Sequence, residues 1–60
     1  MALVYVVEDD VNIREIEGFS LKNSGYQVEE FECAKKFWER INQKLPDIIF
    51  MDVMLPDEDG

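Results

Sequence analysis

Carboxylates follow the two most apolar stretches of this 60-residue chain. The stretches are residues 3–7 and 48–51, and the acids that come after them are Glu8, Asp9, Asp10 and Asp52. If the two stretches form neighbouring parallel strands, their carboxyl ends meet at one edge of the sheet, where open α/β sheets bind ligands. Clustered carboxylates repel one another, so such a cluster needs a hard cation, and its oxygen ligands suit Mg²⁺. The sequence therefore predicts a magnesium site between the two strand ends.

Each acidic group also has a simpler explanation when it is taken alone. Residues 8–10 could be a hydrated loop that caps a helix, and Asp52 could be an ordinary strand-end residue. Both groups, however, follow strands that are expected to be neighbours, and this coincidence favours the ligand-binding interpretation.

The elements that must position these acids can be predicted from hydrophobic periodicity. Residues 3–7 predict a strand, and a helix should begin at Asp10, Val11 or Asn12. Ile13, Ile16 and Leu21 would form its buried stripe, with the charged residues between them facing water. The segment Asn23-Ser24-Gly25 should end the helix, with Gly25 in the left-handed conformation.

The second half of the chain predicts a strand, a helix and a further strand. Residues 26–31 alternate apolar and polar side chains, which is typical of an edge strand with one exposed face. A helix over roughly 33–44 should bury the stripe Ala34, Phe37, Trp38, Ile41 and Leu45. Pro46 should end it, and the apolar run at 48–52 predicts a strand buried on both faces. Connections of this length imply right-handed crossovers and a parallel α/β sheet.

Composition excludes several classes of function. Six basic and fourteen acidic residues give a net charge of −8, which opposes binding to nucleic acid or anionic lipid. The sequence predicts neither a signal peptide nor a membrane span, so we expect a cytoplasmic protein. With one cysteine and no histidine, an intrachain disulfide is impossible and a structural zinc site is not expected.

The motifs of this chain together resemble the N-terminal half of a response-regulator receiver domain, over essentially all of residues 1–60. They are the stretch 6–10, the Gly25-Tyr26 turn and the long stretch 45–60, with its D-x-x-L-P-x-x-D-G pattern. The resemblance implies a truncated flavodoxin-like sheet with three parallel strands in the order 2-1-3, as in the order that is described for such folds.

The resemblance also implies a chemistry and a set of site residues. Asp52 would accept a phosphoryl group from a histidine kinase, so that the chain is a phosphoryl acceptor rather than an enzyme. Asp9, Asp10, Asp52 and the main-chain carbonyl of Met54 would hold Mg²⁺. A carboxylate can attack phosphorus without a general base, and the transfer needs mainly positioning and a cation.

The sequence ends before the later strands, helices and the Ser/Thr and Lys residues of such a domain. We therefore expect slow phosphorylation and loss of signalling, or, alternatively, a self-associating fragment without phosphotransfer activity. The expected dimer joins two copies through the edge of the third strand, residues 48–52. A haloacid-dehalogenase-like phosphatase is disfavoured, because that class expects D-x-D where this chain has Asp9-Asp10-Val11.

Overall fold

The computed structural model describes residues 1–51, which form three strands and two helices in alternation. The elements are β1 (Leu3–Val7), α1 (Val11–Asn23), β2 (Gln27–Phe31), α2 (Ala34–Ile41) and β3 (Ile48–Met51). The predicted order of elements is confirmed. The second helix is shorter than predicted, because the amides of Gln43 and Lys44 both donate to the carbonyl of Arg40 and close a turn there. Neither described helix is long and apolar enough to cross a bilayer.

The three strands form one parallel sheet in the order β2-β1-β3, which confirms the predicted truncated flavodoxin-like arrangement. Val7, the last residue of β1, pairs with Phe31 of β2 and with Met51 of β3. β2 lies at an edge of the sheet, as its alternating sequence predicted. The central strand is β1, and all five of its residues are buried.

One face of the sheet carries an aromatic core beneath α2. Leu3, Tyr5 and Val7 point to this face and pack with Phe37, which is 1% exposed. The ring of Tyr5 meets that of Phe31 edge to face at a centroid distance of 5.1 Å. The Tyr5 hydroxyl donates a hydrogen bond of 2.7 Å to the carbonyl of Lys44, so the buried phenol has a partner. Trp38 and Leu45, both predicted in the buried stripe, are 59% and 75% exposed instead.

The other face of the sheet meets α1 through a glycine. Gly18 is buried, and the carboxylate of Glu30 lies where a Cβ atom at this position would be. The prediction that Ile13 and Ile16 form the buried stripe is wrong, since they are 43% and 67% exposed. A residue without a side chain lets the helix approach β2 closely, and the side of α1 that bears Gly18 therefore faces the sheet.

The C-terminal end of α1 confirms the predicted role of Gly25. Gly25 has φ of 99°, which is the left-handed region that glycine adopts at little cost. Its amide donates to the carbonyl of Lys22, and the amide of Tyr26 donates to that of Leu21. These two bonds form a Schellman motif, which satisfies carbonyls that the end of the helix would otherwise leave without partners.

Burial of β3 differs from the prediction. Its four apolar residues, Ile48 to Met51, are 43–47% exposed, so the expectation of a strand buried on both faces is wrong for them. The physical reason is that both helices contact β1 and β2, whereas β1 is the only described element that β3 contacts. Asp47 secures the start of β3, because its Oδ2 accepts from the amide of Leu3 at 2.8 Å and its own amide donates to the Leu3 carbonyl.

A partly exposed ion pair between β2 and α2 gives the fold a dependence on pH. Arg40 donates to Glu29 through Nε at 2.9 Å and through Nη2 at 3.1 Å. Hydrogen bonding to Arg40 lowers the pKa of the Glu29 carboxyl in the folded chain, more than partial burial raises it. A lowered folded pKa adds stability above the unfolded pKa, and this stability is lost as the pH falls through the folded value.

We therefore expect Glu29→Gln to reduce the free energy of unfolding at pH 7 by at most about 1 kcal/mol, since solvent screens the pair. The difference from wild type should shrink as the pH falls below the ordinary range of a glutamate, and it should disappear once the pH has passed through the lowered pKa of Glu29 in the folded chain. Urea unfolding at several pH values measures this. Glu39→Gln, the same change at an exposed site on α2, is the control, and an equal pH dependence for both variants would contradict the assignment.

Candidate functional site

The predicted site lies at the carboxyl ends of β1 and β3. These ends are adjacent, because Val7 pairs with Met51. From the two paired residues the chain continues into Glu8 and into Asp52 respectively. Asp52 and Met54 lie outside the described residues, so their predicted roles remain predictions. The pairing of β1 with β3, on which the predicted cluster depends, is confirmed.

Glu8 is the buried acid of the acidic loop, which we define as residues 8–10. It is 4% exposed, its amide donates to the carbonyl of Phe31 at 3.1 Å, and its Oε1 accepts from the amide of Asp10. Glu8 is part of the carboxylate cluster that the sequence predicts, because Glu8 follows β1 as directly as Asp52 follows β3. The ligand set implied by the resemblance to receiver domains does not include it.

Asp10 is the N-cap of α1, as the simpler explanation of the acidic loop suggested. Its Oδ1 accepts from the amides of Asn12 at 2.9 Å and of Ile13 at 3.1 Å. These bonds satisfy two of the amides that the first turn of a helix leaves without partners. Capping uses Oδ1, so Oδ2 is the oxygen through which Asp10 could also contact a cation. The N-cap role and the predicted ligand role are therefore compatible.

Asp9 is exposed and lies between the buried Glu8 and the capping Asp10. Within residues 1–51, the acidic residues and the single cysteine do not form a group of three or more that could hold a metal ion. The oxygen ligands of this loop suit a hard cation, but the complete predicted set also includes Asp52 and Met54. The magnesium site thus remains a prediction that requires the residues after Met51.

Arg14 brings a positive charge to the acidic loop. Its Nη1 donates to the main-chain carbonyl of Glu8 at 2.9 Å, and its amide donates to the carbonyl of Asp10 at 2.9 Å. The sequence predicted that Arg14 faces water on the polar side of α1. It is half-buried instead, because the side of α1 that carries Gly18 faces the sheet.

An open hollow of about 270 Å³ lies beside the acidic loop, at the carboxyl end of β2. Its lining residues are Arg14, Glu30, Phe31, Glu32 and Lys36. A larger hollow, of about 500 Å³, includes Leu3, Lys22 and Lys44 in its lining and lies at the opposite, amino end of the sheet. The larger volume of the second hollow does not make it the candidate site, because ligands of open α/β sheets bind at the carboxyl ends of the strands.

Comparison with known proteins agrees with this geometry. Residues 4–60 match the model of a protein family described as the response regulator receiver domain. The virulence transcriptional regulatory protein PhoP of Salmonella typhimurium (strain LT2) is 43% identical over 60 residues, which are 100% of this chain and 27% of that protein. The transcriptional regulatory protein PhoP of Escherichia coli O6:H1 is 42% identical over 57 residues, which are 95% of this chain and 26% of that protein.

A third relative, the virulence transcriptional regulatory protein PhoP of Shigella flexneri, is 42% identical over 57 residues, with 95% of this chain and 26% of that protein covered. The chain thus spans about a quarter of the length of the curated relatives it matches. No solved structure matches the chain significantly.

Proposed function

This chain belongs to the response regulator receiver domain family, and we propose that it is the phosphoryl acceptor of a two-component signalling pair. Asp52 accepts the phosphoryl group, and a histidine kinase donates it. The observation that carries the proposal is the pairing of Val7 with Met51, from which the chain continues on one side into Glu8 and on the other into Asp52. The relatives are named transcriptional regulatory proteins, and a role in a transcriptional regulator is part of the proposal.

The proposed metal ligands are Asp9, Asp10, Asp52 and the main-chain carbonyl of Met54, with Glu8 as a further carboxylate at the same edge. What supports them is the chemistry of the donors, since carboxylate and carbonyl oxygens are the ligands that Mg²⁺ prefers. Bound Mg²⁺ would neutralise the charge that develops on the transferring group.

In the proposed reaction the chain supplies the nucleophile. A carboxylate oxygen of Asp52 forms a new P–O bond, while the bond between phosphorus and the donor breaks and the donor takes the bonding electrons. The donor is a phosphohistidine in the kinase or acetyl phosphate in vitro, in which case acetate leaves. A carboxylate can attack phosphorus without a general base. A cytoplasmic location for this reaction remains a prediction.

Acetyl phosphate with Mg²⁺, followed by intact-mass spectrometry, tests the proposal. We expect a gain of one phosphoryl group that depends on Mg²⁺ and is absent in the presence of excess EDTA. A mass that stays unchanged over long incubation with Mg²⁺, in a sample that circular dichroism shows to be folded, would contradict the proposal.

A second candidate function is self-association, which the exposure of β3 favours. Among residues 1–51, the edge of β3 that faces away from β1 has no strand paired with it, and all four side chains of β3 are apolar and nearly half exposed. Exposed apolar edges of this kind add further strands readily. The occupant that we propose is a second copy of the chain, related by twofold symmetry, since that is the commonest symmetric contact.

We expect the sedimentation coefficient to rise with protein concentration, and to rise further with Mg²⁺ or salt, because two chains of charge −8 repel each other. Ile49→Lys should weaken the association although it reduces the net negative charge, since a lysine on an edge strand opposes pairing. A folded wild-type chain that sediments as a monomer at the highest concentrations would contradict this prediction.

A further inference from the structure

We propose that Arg14 is a positioning residue, which orients the acidic loop and acts on the metal ligands through the backbone that carries them. The part of this proposal that concerns the metal rests on the proposed function. The observation that carries it is the partly buried hydrogen bond of 2.9 Å from Nη1 of Arg14 to the carbonyl of Glu8. This bond joins a side chain in the first turn of α1 to the residue that directly follows β1.

Arg14 secures the acidic loop at both of its ends. Its side chain donates to the carbonyl of Glu8, and its amide donates to the carbonyl of Asp10. Within the loop, the amide of Asp10 donates to Oε1 of Glu8 at 3.2 Å. These three bonds join Glu8 and Asp10 to each other and to the first turn of α1, so the backbone that carries Asp9 and Asp10 is held before any cation binds. Pre-organisation of this kind reduces the cost of ordering ligands on binding.

The charge of Arg14 and its positioning role should have opposite effects on the affinity for a cation, which makes the proposal testable. If Arg14 acted only through its charge, its removal would strengthen the binding of a cation, because like charges repel. If Arg14 positions the loop, its removal leaves the Glu8 carbonyl without this donor and loosens the ligands, which weakens the binding. The sign of the change in Mg²⁺ affinity therefore separates the two roles.

The experiment compares Arg14→Gln, Arg14→Lys and Lys36→Gln in a Mg²⁺ titration followed by amide NMR shifts. Lys36 lines the same hollow as Arg14, and its exposed ammonium pairs with Glu32 one turn earlier, so Lys36→Gln removes one charge without removing a bond to the loop. We expect Arg14→Gln to raise the Kd for Mg²⁺ about tenfold, as loss of a group that orients ligands commonly does. Arg14→Lys should recover part of the affinity, and Lys36→Gln should leave the Kd unchanged or lower it.

Hydrogen exchange without metal provides a second readout. In Arg14→Gln the amides of Asp10, Asn12 and Ile13 should exchange faster than in wild type, while those of Val6 and Val28 in the sheet keep their rates. Unchanged rates at residues 10–13, or a lower Kd for Mg²⁺ in Arg14→Gln, would overturn the proposal. Absence of Mg²⁺ binding by the wild-type chain would instead overturn the proposed function, and the exchange rates without metal would still decide whether Arg14 holds the loop.

Discussion

Phe37→Ala is expected to unfold a large fraction of the chain at room temperature. Phe37 is 1% exposed, and its ring centroid lies 6.3 Å from those of both Tyr5 and Phe31. Truncating a buried phenylalanine to alanine costs about 3–5 kcal/mol, because apolar surface is lost from the core and a cavity remains. A single core in a chain of this size rarely supplies more than about 3–5 kcal/mol in total. One substitution therefore removes most of the stability.

Urea unfolding followed by far-ultraviolet circular dichroism measures this effect. Fluorescence is less suitable, because the ring of Trp38 lies 5.0 Å from that of Phe37 and would change its environment in the folded variant. Phe19→Ala is the matched control, since the same side chain is 71% exposed on α1. It should change the free energy of unfolding by about 0.5 kcal/mol or less. Equal midpoints for the two variants would show that the aromatic core beneath α2 does not hold the fold.

Asp52→Asn is expected to abolish phosphoryl labelling by acetyl phosphate. The carboxamide carries no negative charge and is a poor nucleophile, so the bond from Asp52 to phosphorus does not form. Asparagine has nearly the same size and shape as aspartate, so a change in side-chain volume would not explain a loss of labelling. Intact-mass spectrometry after incubation with Mg²⁺ gives the labelled fraction of each protein, and peptide mapping gives the labelled residue.

Asp47→Asn is the matched control for this experiment. It makes the same chemical change at the opposite end of β3, where Oδ2 of Asp47 accepts from the amide of Leu3. The oxygen of an asparagine can still accept such a bond, so the variant should fold and be labelled. Labelling of Asp52→Asn at the wild-type level would move the phosphorylation site to another carboxylate.

The local features of the fold could be predicted from the sequence, because each depends on residues that are close together in the chain. β1 has the predicted bounds, and Gly25 has the predicted left-handed conformation. Asp10 caps α1, as the helix-capping interpretation of the acidic loop predicted. The strand order followed from the resemblance to receiver domains, whose motifs recur along the whole chain. A strand, a helix cap or a glycine turn is determined largely by a few consecutive residues. Short sequence patterns can therefore predict these features.

The side of α1 that faces the sheet, the exposure of β3 and the environment of the acidic loop were decided by tertiary structure. Periodicity finds apolar stripes, but α1 meets β2 through Gly18, which contributes nothing to such a stripe. An apolar run predicts burial only if other elements cover it, and both described helices lie over β1 and β2. The roles of Glu8 and Arg14 likewise arise from close approach of the loop, α1 and β2. Hydrogen bonds of this kind join elements that are separate in the sequence, and local sequence patterns do not predict which elements will contact each other.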